Sequence, residues 1–168
     1  VVFQNEENGY TVLSLLTEQG ELVTVVGCIP FAAAGEGMTV TGVWVNHPTY
    51  GVQLTAELVE RRMPREEDDI VCYLSSGVLK GVGPATAARL VERFGTDETL
   101  EKLKDNPYLL TDERCGVDFA AADEIALSMG FDGDSPCRTE AAVLYELNHN
   151  LSNGHVFLPR PKLIAATM

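Results

Sequence analysis

The sequence predicts a multi-domain α+β chain in which a small β-barrel precedes an all-α region, and three observations carry that prediction. Short β-branched runs separated by turn residues fill about the first 60 positions; apolar residues then recur at helical spacing as far as Met129; and one stretch of the helical region repeats itself. The 168 residues are 45% hydrophobic and 22% charged, enough apolar material for real cores and unlike a disordered chain.

Five runs read as strands: Val1 to Phe3, Tyr10 to Leu16, Leu22 to Gly27, Met38 to Val45 and Val52 to Val59. Glu18-Gln19-Gly20 and Pro48-Thr49-Tyr50-Gly51 supply turns between them. In the last run Val52, Leu54, Ala56 and Leu58 alternate with Gln53, Thr55 and Glu57, which predicts one buried and one wet face. Five strands in so short a span are too few for a sandwich and enough for a small closed barrel of the OB type, although other small barrels fit the pattern nearly as well. Residues 1–63 are therefore assigned to an OB-like β-barrel. Trp44, His47 and Tyr50 have two readings there. Trp44 packs in the core and Tyr50 shapes the hairpin, or they line a face on which single-stranded bases stack.

After Arg61-Arg62-Met63-Pro64 the period changes. Arg65-Glu66-Glu67-Asp68-Asp69 reads as an acidic helix start, favourable at the positive end of the helix dipole, and as a solvated face rather than a metal cluster. Residues 64–134 form the all-α domain, which ends in the linker Gly130-Phe131-Asp132-Gly133-Asp134. Ser135-Pro136 opens a third element, 135–168: a helix from Arg138 to Leu151, a short strand from His155 to Leu158, and a helix from Pro161 to Ala166. Helix, strand and helix in that order predict a small helical or winged-helix-like connector.

Tyr73 to Gly95 aligns with Tyr108 to Gly130 at an offset of 35, with seven of 23 positions identical. The stripe Ala87, Leu90, Val91, Phe94 recurs as Ala122, Ile125, Ala126, Met129. Each unit thus reads as helix, glycine-containing hairpin, helix and glycine stop. In the first hairpin, Lys80-Gly81-Val82-Gly83-Pro84-Ala85-Thr86, Pro84 suits the first helical position and Gly83 the cap. Amides without helical partners, free of side-chain obstruction, can converge there on an anionic oxygen. Lys80, Arg89 and Arg93 supply positive charge, so the implied ligand is a phosphate; the alternative is a purely structural turn. The second unit replaces Lys80 by Cys115, Gly83 by Asp118, Arg89 by Glu124 and Arg93 by Ser128, while Gly116 and Val117 keep the turn. Only the first hairpin is expected to bind a nucleic-acid backbone, with the second mainly structural.

Charge bears on this. The formal net charge is -13, which opposes broad affinity for nucleic acid, yet it is unevenly spread. Residues 98–134 carry 10 acids and 3 bases, whereas 64–97 carry 6 and 4, and 135–168 carry 2 and 3. Affinity for DNA is thus expected to be weak and salt-sensitive. Cys28, Cys72, Cys115 and Cys137 form no CxxC pair and no zinc-ligand spacing with histidine, and read as reduced core thiols, with no metal. No apolar run reaches the roughly 18 residues of a membrane helix, so a cytoplasmic protein with no membrane contact is expected. The chain opens on Val1 and reads as a piece of something longer.

Leu79-Lys80-Gly81-Val82-Gly83-Pro84 with Ala87, Ala88, Leu90 and Val91 resembles the helix-hairpin-helix motif, a sequence-independent DNA-backbone binder. Asn5 to Val12, Gly42 to Pro48, Tyr73 to Gly77, Ala122 to Ala126 and Gly154 to Pro159 are similar to the N-terminal region of bacterial RecD-like ATP-dependent DNA helicases, relatives of the exodeoxyribonuclease V alpha subunit. That resemblance implies a 5′-to-3′ superfamily-1 motor using ATP and magnesium in DNA recombination or repair, to which these residues add a non-catalytic DNA-guiding module. The sequence contains no GxxxxGK[ST], so no cofactor or catalytic residue is expected in it. Expected partners are DNA (single-stranded, duplex or forked), the motor of the same protein, and a protein partner if the module instead serves docking or regulation. A RuvA-like junction binder shares the architecture but usually keeps both hairpins intact.

Overall fold

The computed structural model describes residues 1–167. Its strands come first: β1 Phe3–Gln4, β2 Tyr10–Leu16, β3 Leu22–Cys28, β4 Gly37–His47 and β5 Gly51–Arg62. Helices follow: α1 Glu67–Tyr73, α2 Pro84–Phe94, α3 Thr96–Asp105, α4 Phe119–Ser128, α5 Pro136–Ser152 and α6 Arg160–Thr167. Two compact units divide the chain, Val1–Val78 and Leu79–Met168.

In the first unit the sheet order is β1-β2-β3-β5-β4, antiparallel except where β5 runs parallel to β3. This is an OB-like sheet, as the sequence predicts. Its core is Leu13, Val25, Ile29 and Ala32, with Val23, Met38, Leu54, Ala56 and Val59 packed around them. Thr11 is fully buried, and its hydroxyl is satisfied by donating to the Ile29 carbonyl at 2.8 Å.

The alternation predicted for the fifth strand breaks. Thr41 pairs with Leu58 and Gly42 with Ala56, so Glu57 is an extra residue in β5. A bulge of this kind moves every later side chain to the other face. Val59 joins the core and Leu58, expected inside, is 59% exposed.

The first unit also takes in α1, because the β3–β4 connection lies directly against it. A side chain on Gly35 would collide with the Asp69 carbonyl oxygen and crowd the Tyr73 amide. Arg61 braces the same connection: its guanidinium pairs with Glu36 at 2.6 Å and donates to the carbonyls of Pro30 and Phe31. Phe31 is held there at φ 56, with its ring exposed. Glu67, Asp68 and Asp69 occupy the first turn of α1, the acidic start read from the sequence.

In the second unit the repeated stripes are buried as pairs: Ala87, Leu90 and Val91 on α2, and Ala122, Ile125 and Ala126 on α4. Gly95 and Gly130 close those helices at φ 80 and 87. The second repeat follows α3 and opens with a 3-10 turn, Pro107–Thr111, at whose start the Asn106 side chain accepts from the Tyr108 amide. Ser135 caps α5.

Two expectations are corrected. His155 to Leu158 form no strand; Val156 and Phe157 stand 86% and 76% exposed, and with no second strand among the described residues of the connector to complete a ladder, its described part is helical without a wing. Nor are the thiols uniformly core groups: only Cys115 is buried, Cys137 is half-buried, and Cys28 and Cys72 are exposed. No helix among the described residues is long and apolar enough to cross a membrane.

Candidate nucleic-acid interface

Both hairpins place a left-handed glycine two residues before an extended helix cap. Gly81 and Gly116 take the left-handed conformation at φ 90 and 71, which residues with a Cβ adopt at a cost. Two residues on, Gly83 and Asp118 are the extended N-caps of α2 and α4, at ψ 173 and 162. Val82 turns inward, 4% exposed, and its amide donates to the Leu79 carbonyl, so its side chain is a core group rather than a contact surface.

The hairpins part at the cap. Asp118 folds its carboxylate back to accept from the Ala121 amide at 2.8 Å, placing a built-in anion at the start of α4. Gly83 has no side chain to do this, and no side chain caps α2. Pro84 has no N–H, so the unclaimed donors there are the amides of Ala85 and Thr86. A Cβ placed on Gly81 or Gly83 would meet nothing within 4 Å. Lys80 and Ala85 are exposed at this opening and Thr86 is half-buried; Arg89 is exposed farther along α2.

Both arginines of α2 lean towards the second hairpin. Arg93 Nε lies 3.7 Å from Asp112 Oδ2, with both side chains partly exposed, a pair worth little in stability. A Cβ on Gly116 would sit 3.5 Å from an Arg89 guanidinium nitrogen. Of the residues expected at the first hairpin, Lys80, Gly81, Gly83, Ala85 and Thr86 therefore border the opening, while Arg89 reaches towards Gly116 of the second hairpin and Arg93 already has a carboxylate beside it. In the second hairpin Cys115 is buried, and burial first, with Asp112 second, pushes its thiol above the ordinary value.

Trp44 does not pack in the core. It shares a face with core residue Leu54 across the β4–β5 ladder, yet it is 58% exposed because that hairpin runs on past the core. Tyr50, at the tip, lies tilted against His47 with ring centroids 4.9 Å apart, and His47 Nδ1 accepts from the amides of Thr49 and Tyr50. Both rings stand open to solvent.

A cluster that spacing does not reveal braces the second repeat. Tyr108 donates its hydroxyl to Asp123 Oδ1 at 2.6 Å, and Arg138 clasps both Asp123 oxygens at 2.9 and 3.1 Å. The Arg138 guanidinium holds the Asp123 carboxyl below the usual carboxylate range, against the opposing effect of burial. Burial first, then the bond to Asp123, pushes the Tyr108 phenol above its ordinary value. A depressed carboxyl stabilises the fold above its unfolded value of about 4, and that contribution is lost as pH falls further. Urea midpoints measured from neutral pH into acid should therefore fall less steeply for Asp123→Asn than for the parent chain. Parallel curves would show that Asp123 does not contribute to the acid limb.

The chain matches the family model described as the ATP-dependent RecD2 DNA helicase HHH domain over residues 65–157. It also matches the model described as the ATP-dependent DNA helicase YrrC OB-fold domain over residues 1–64. No solved structure matches it.

Proposed function

The chain belongs to the RecD2-type ATP-dependent DNA helicases, and from that membership we propose that it is a non-catalytic module that holds DNA for a 5′-to-3′ motor fuelled by ATP and magnesium. The contact is to the phosphate backbone, independent of sequence, and is made by the first hairpin. One observation carries the reading: at equivalent caps, Asp118 fills the anion position of α4 while Gly83 leaves that of α2 open. An anion seated there receives the amides of Ala85 and Thr86 and the helix dipole, with Lys80 beside it and Arg89 farther along α2. Trp44 and Tyr50 offer rings on which unpaired bases can stack, a contact that tolerates any sequence.

The test is fluorescence anisotropy with labelled single-stranded, duplex and forked DNA across a salt series. A site that neutralises two or three phosphates gives a slope of log affinity against log salt of about −2 to −3 on duplex. Lys80→Glu/Arg89→Glu should weaken binding by about tenfold or more, whereas Glu124→Ala should leave it unchanged. Failure of the parent chain to bind any of the three DNAs at low salt, or equal losses in both variants, overturns the assignment.

A further inference from the structure

We propose that His47 makes the β4–β5 turn a pH-sensitive switch, which the neutral imidazole holds closed and a proton on Nδ1 releases. His47 and Gly51 are the last pair of the ladder, so Pro48, Thr49 and Tyr50 span the gap between the strands. Gly51 stands at φ 75, the left-handed residue that follows the turn in a common three-residue hairpin loop. Within that loop His47 Nδ1 accepts from the Thr49 amide at 3.1 Å and from the Tyr50 amide at 3.3 Å. A backbone N–H can only donate, so Nδ1 presents its lone pair and the ring proton sits on Nε2.

The same local bond recurs along the chain with other acceptors. Asn5, Asn8, Asn106 and Asp112 each accept from the amide two residues on, at 2.9 to 3.0 Å, as asparagine and aspartate do in turns. At the β4–β5 tip the acceptor is an imidazole, the side chain suited to changing charge between about pH 5 and 8. A second proton has one place to go, the Nδ1 lone pair that both amides share. Its arrival turns an acceptor into a donor that faces two donors. The titratable group against the ring is the Tyr50 phenol of the same loop, with ring centroids 4.9 Å apart. Between Gly37 and Ala56 the sequence has no Asp, Glu, Lys or Arg, so the hairpin supplies no carboxylate to offset the new charge. The imidazolium keeps an attraction for the Tyr50 ring, and it is the backbone of Thr49 and Tyr50 that loses its anchor. Both residues are exposed, so water takes over the freed amides and the loop opens without disturbing the core. Tyr50 is one of the rings offered above to unpaired bases; an effect on that contact rests on that reading, whereas the switch itself does not.

The test is heteronuclear NMR of the whole chain, without DNA, between about pH 8 and about pH 5. At the upper pH the His47 ring should show its proton on Nε2. The temperature dependence of an amide shift reports whether the N–H is bonded within the protein or meets water. For Thr49 and Tyr50 it should be shallow at the upper pH and steep at the lower, changing with the same midpoint as the His47 ring signals. His47→Asn restores an acceptor of the kind used at Asn5 and Asn8, and should keep the Thr49 amide shallow throughout; His47→Ala should leave it steep throughout. A proton on Nδ1 at the upper pH, amides that stay unchanged while the ring titrates, or a His47→Asn chain that follows the parent each overturns the proposal. Because no DNA is present, failure here is separable from failure of the DNA contact, which is read at Lys80 and Arg89.

Discussion

Leu90→Ala is expected to lower the unfolding free energy by about 2–5 kcal/mol. Leu90 is wholly buried, between Ala87 and Val91 on the apolar face of α2. Removing its isobutyl end takes away buried apolar surface and leaves a cavity that flanking alanines cannot fill. The Thr99 hydroxyl of α3 donates to the carbonyl of Gly95 at the end of α2, so the backbone has little freedom to close the gap. Urea unfolding followed by far-UV circular dichroism measures the loss, while Trp44 fluorescence records the barrel. A change below about 1 kcal/mol would mean that this face of α2 is not a packed core. Ile125→Ala, at the equivalent place in the second repeat and 2% exposed, should behave alike.

Gly35→Ala should be comparably severe, and Gly20→Ala isolates the reason. Both glycines are left-handed, at φ 84 and 81, so each alanine pays a conformational strain of about 1–3 kcal/mol. At Gly20 nothing lies within 4 Å of the new methyl group. At Gly35 the methyl meets the backbone of Asp69 and Tyr73 in α1, which cannot rotate away as a side chain would. Overlap of that kind adds about 1–3 kcal/mol. Denaturant midpoints of the two variants should therefore differ by that addition. Equal midpoints would show that the β3–β4 connection does not seat closely on α1.

Much of the site was legible because it is local. A hairpin that needs a left-handed glycine and an extended cap, followed by a helix of period 3.6, writes those demands into seven consecutive residues, Lys80 to Thr86. The loss of the open cap in the second unit could be read as Asp118 in place of Gly83 for the same reason. The bond from Asp118 to Ala121 adds what the substitution alone leaves open: the carboxylate takes the place of the ligand. Tyr108, Asp123 and Arg138 were not legible as a cluster. Successive members are 15 residues apart, on three different elements, and no periodicity links them.

By itself the sequence determined the strands, the change to helices, the tandem repeat and the difference between its hairpins, because each follows from side-chain period and from turn chemistry within a few residues. Only the tertiary structure decided which faces are buried. The bulge at Glu57 exchanges Leu58 for Val59, and the long β4–β5 hairpin carries Trp44 beyond the core. His155 to Leu158 acquire no partner strand among the described residues, Arg93 turns to Asp112, and α1 joins the barrel's unit through Gly35. Burial, register and ion pairing depend on what a distant segment places opposite a residue, and adjacent residues carry no record of that.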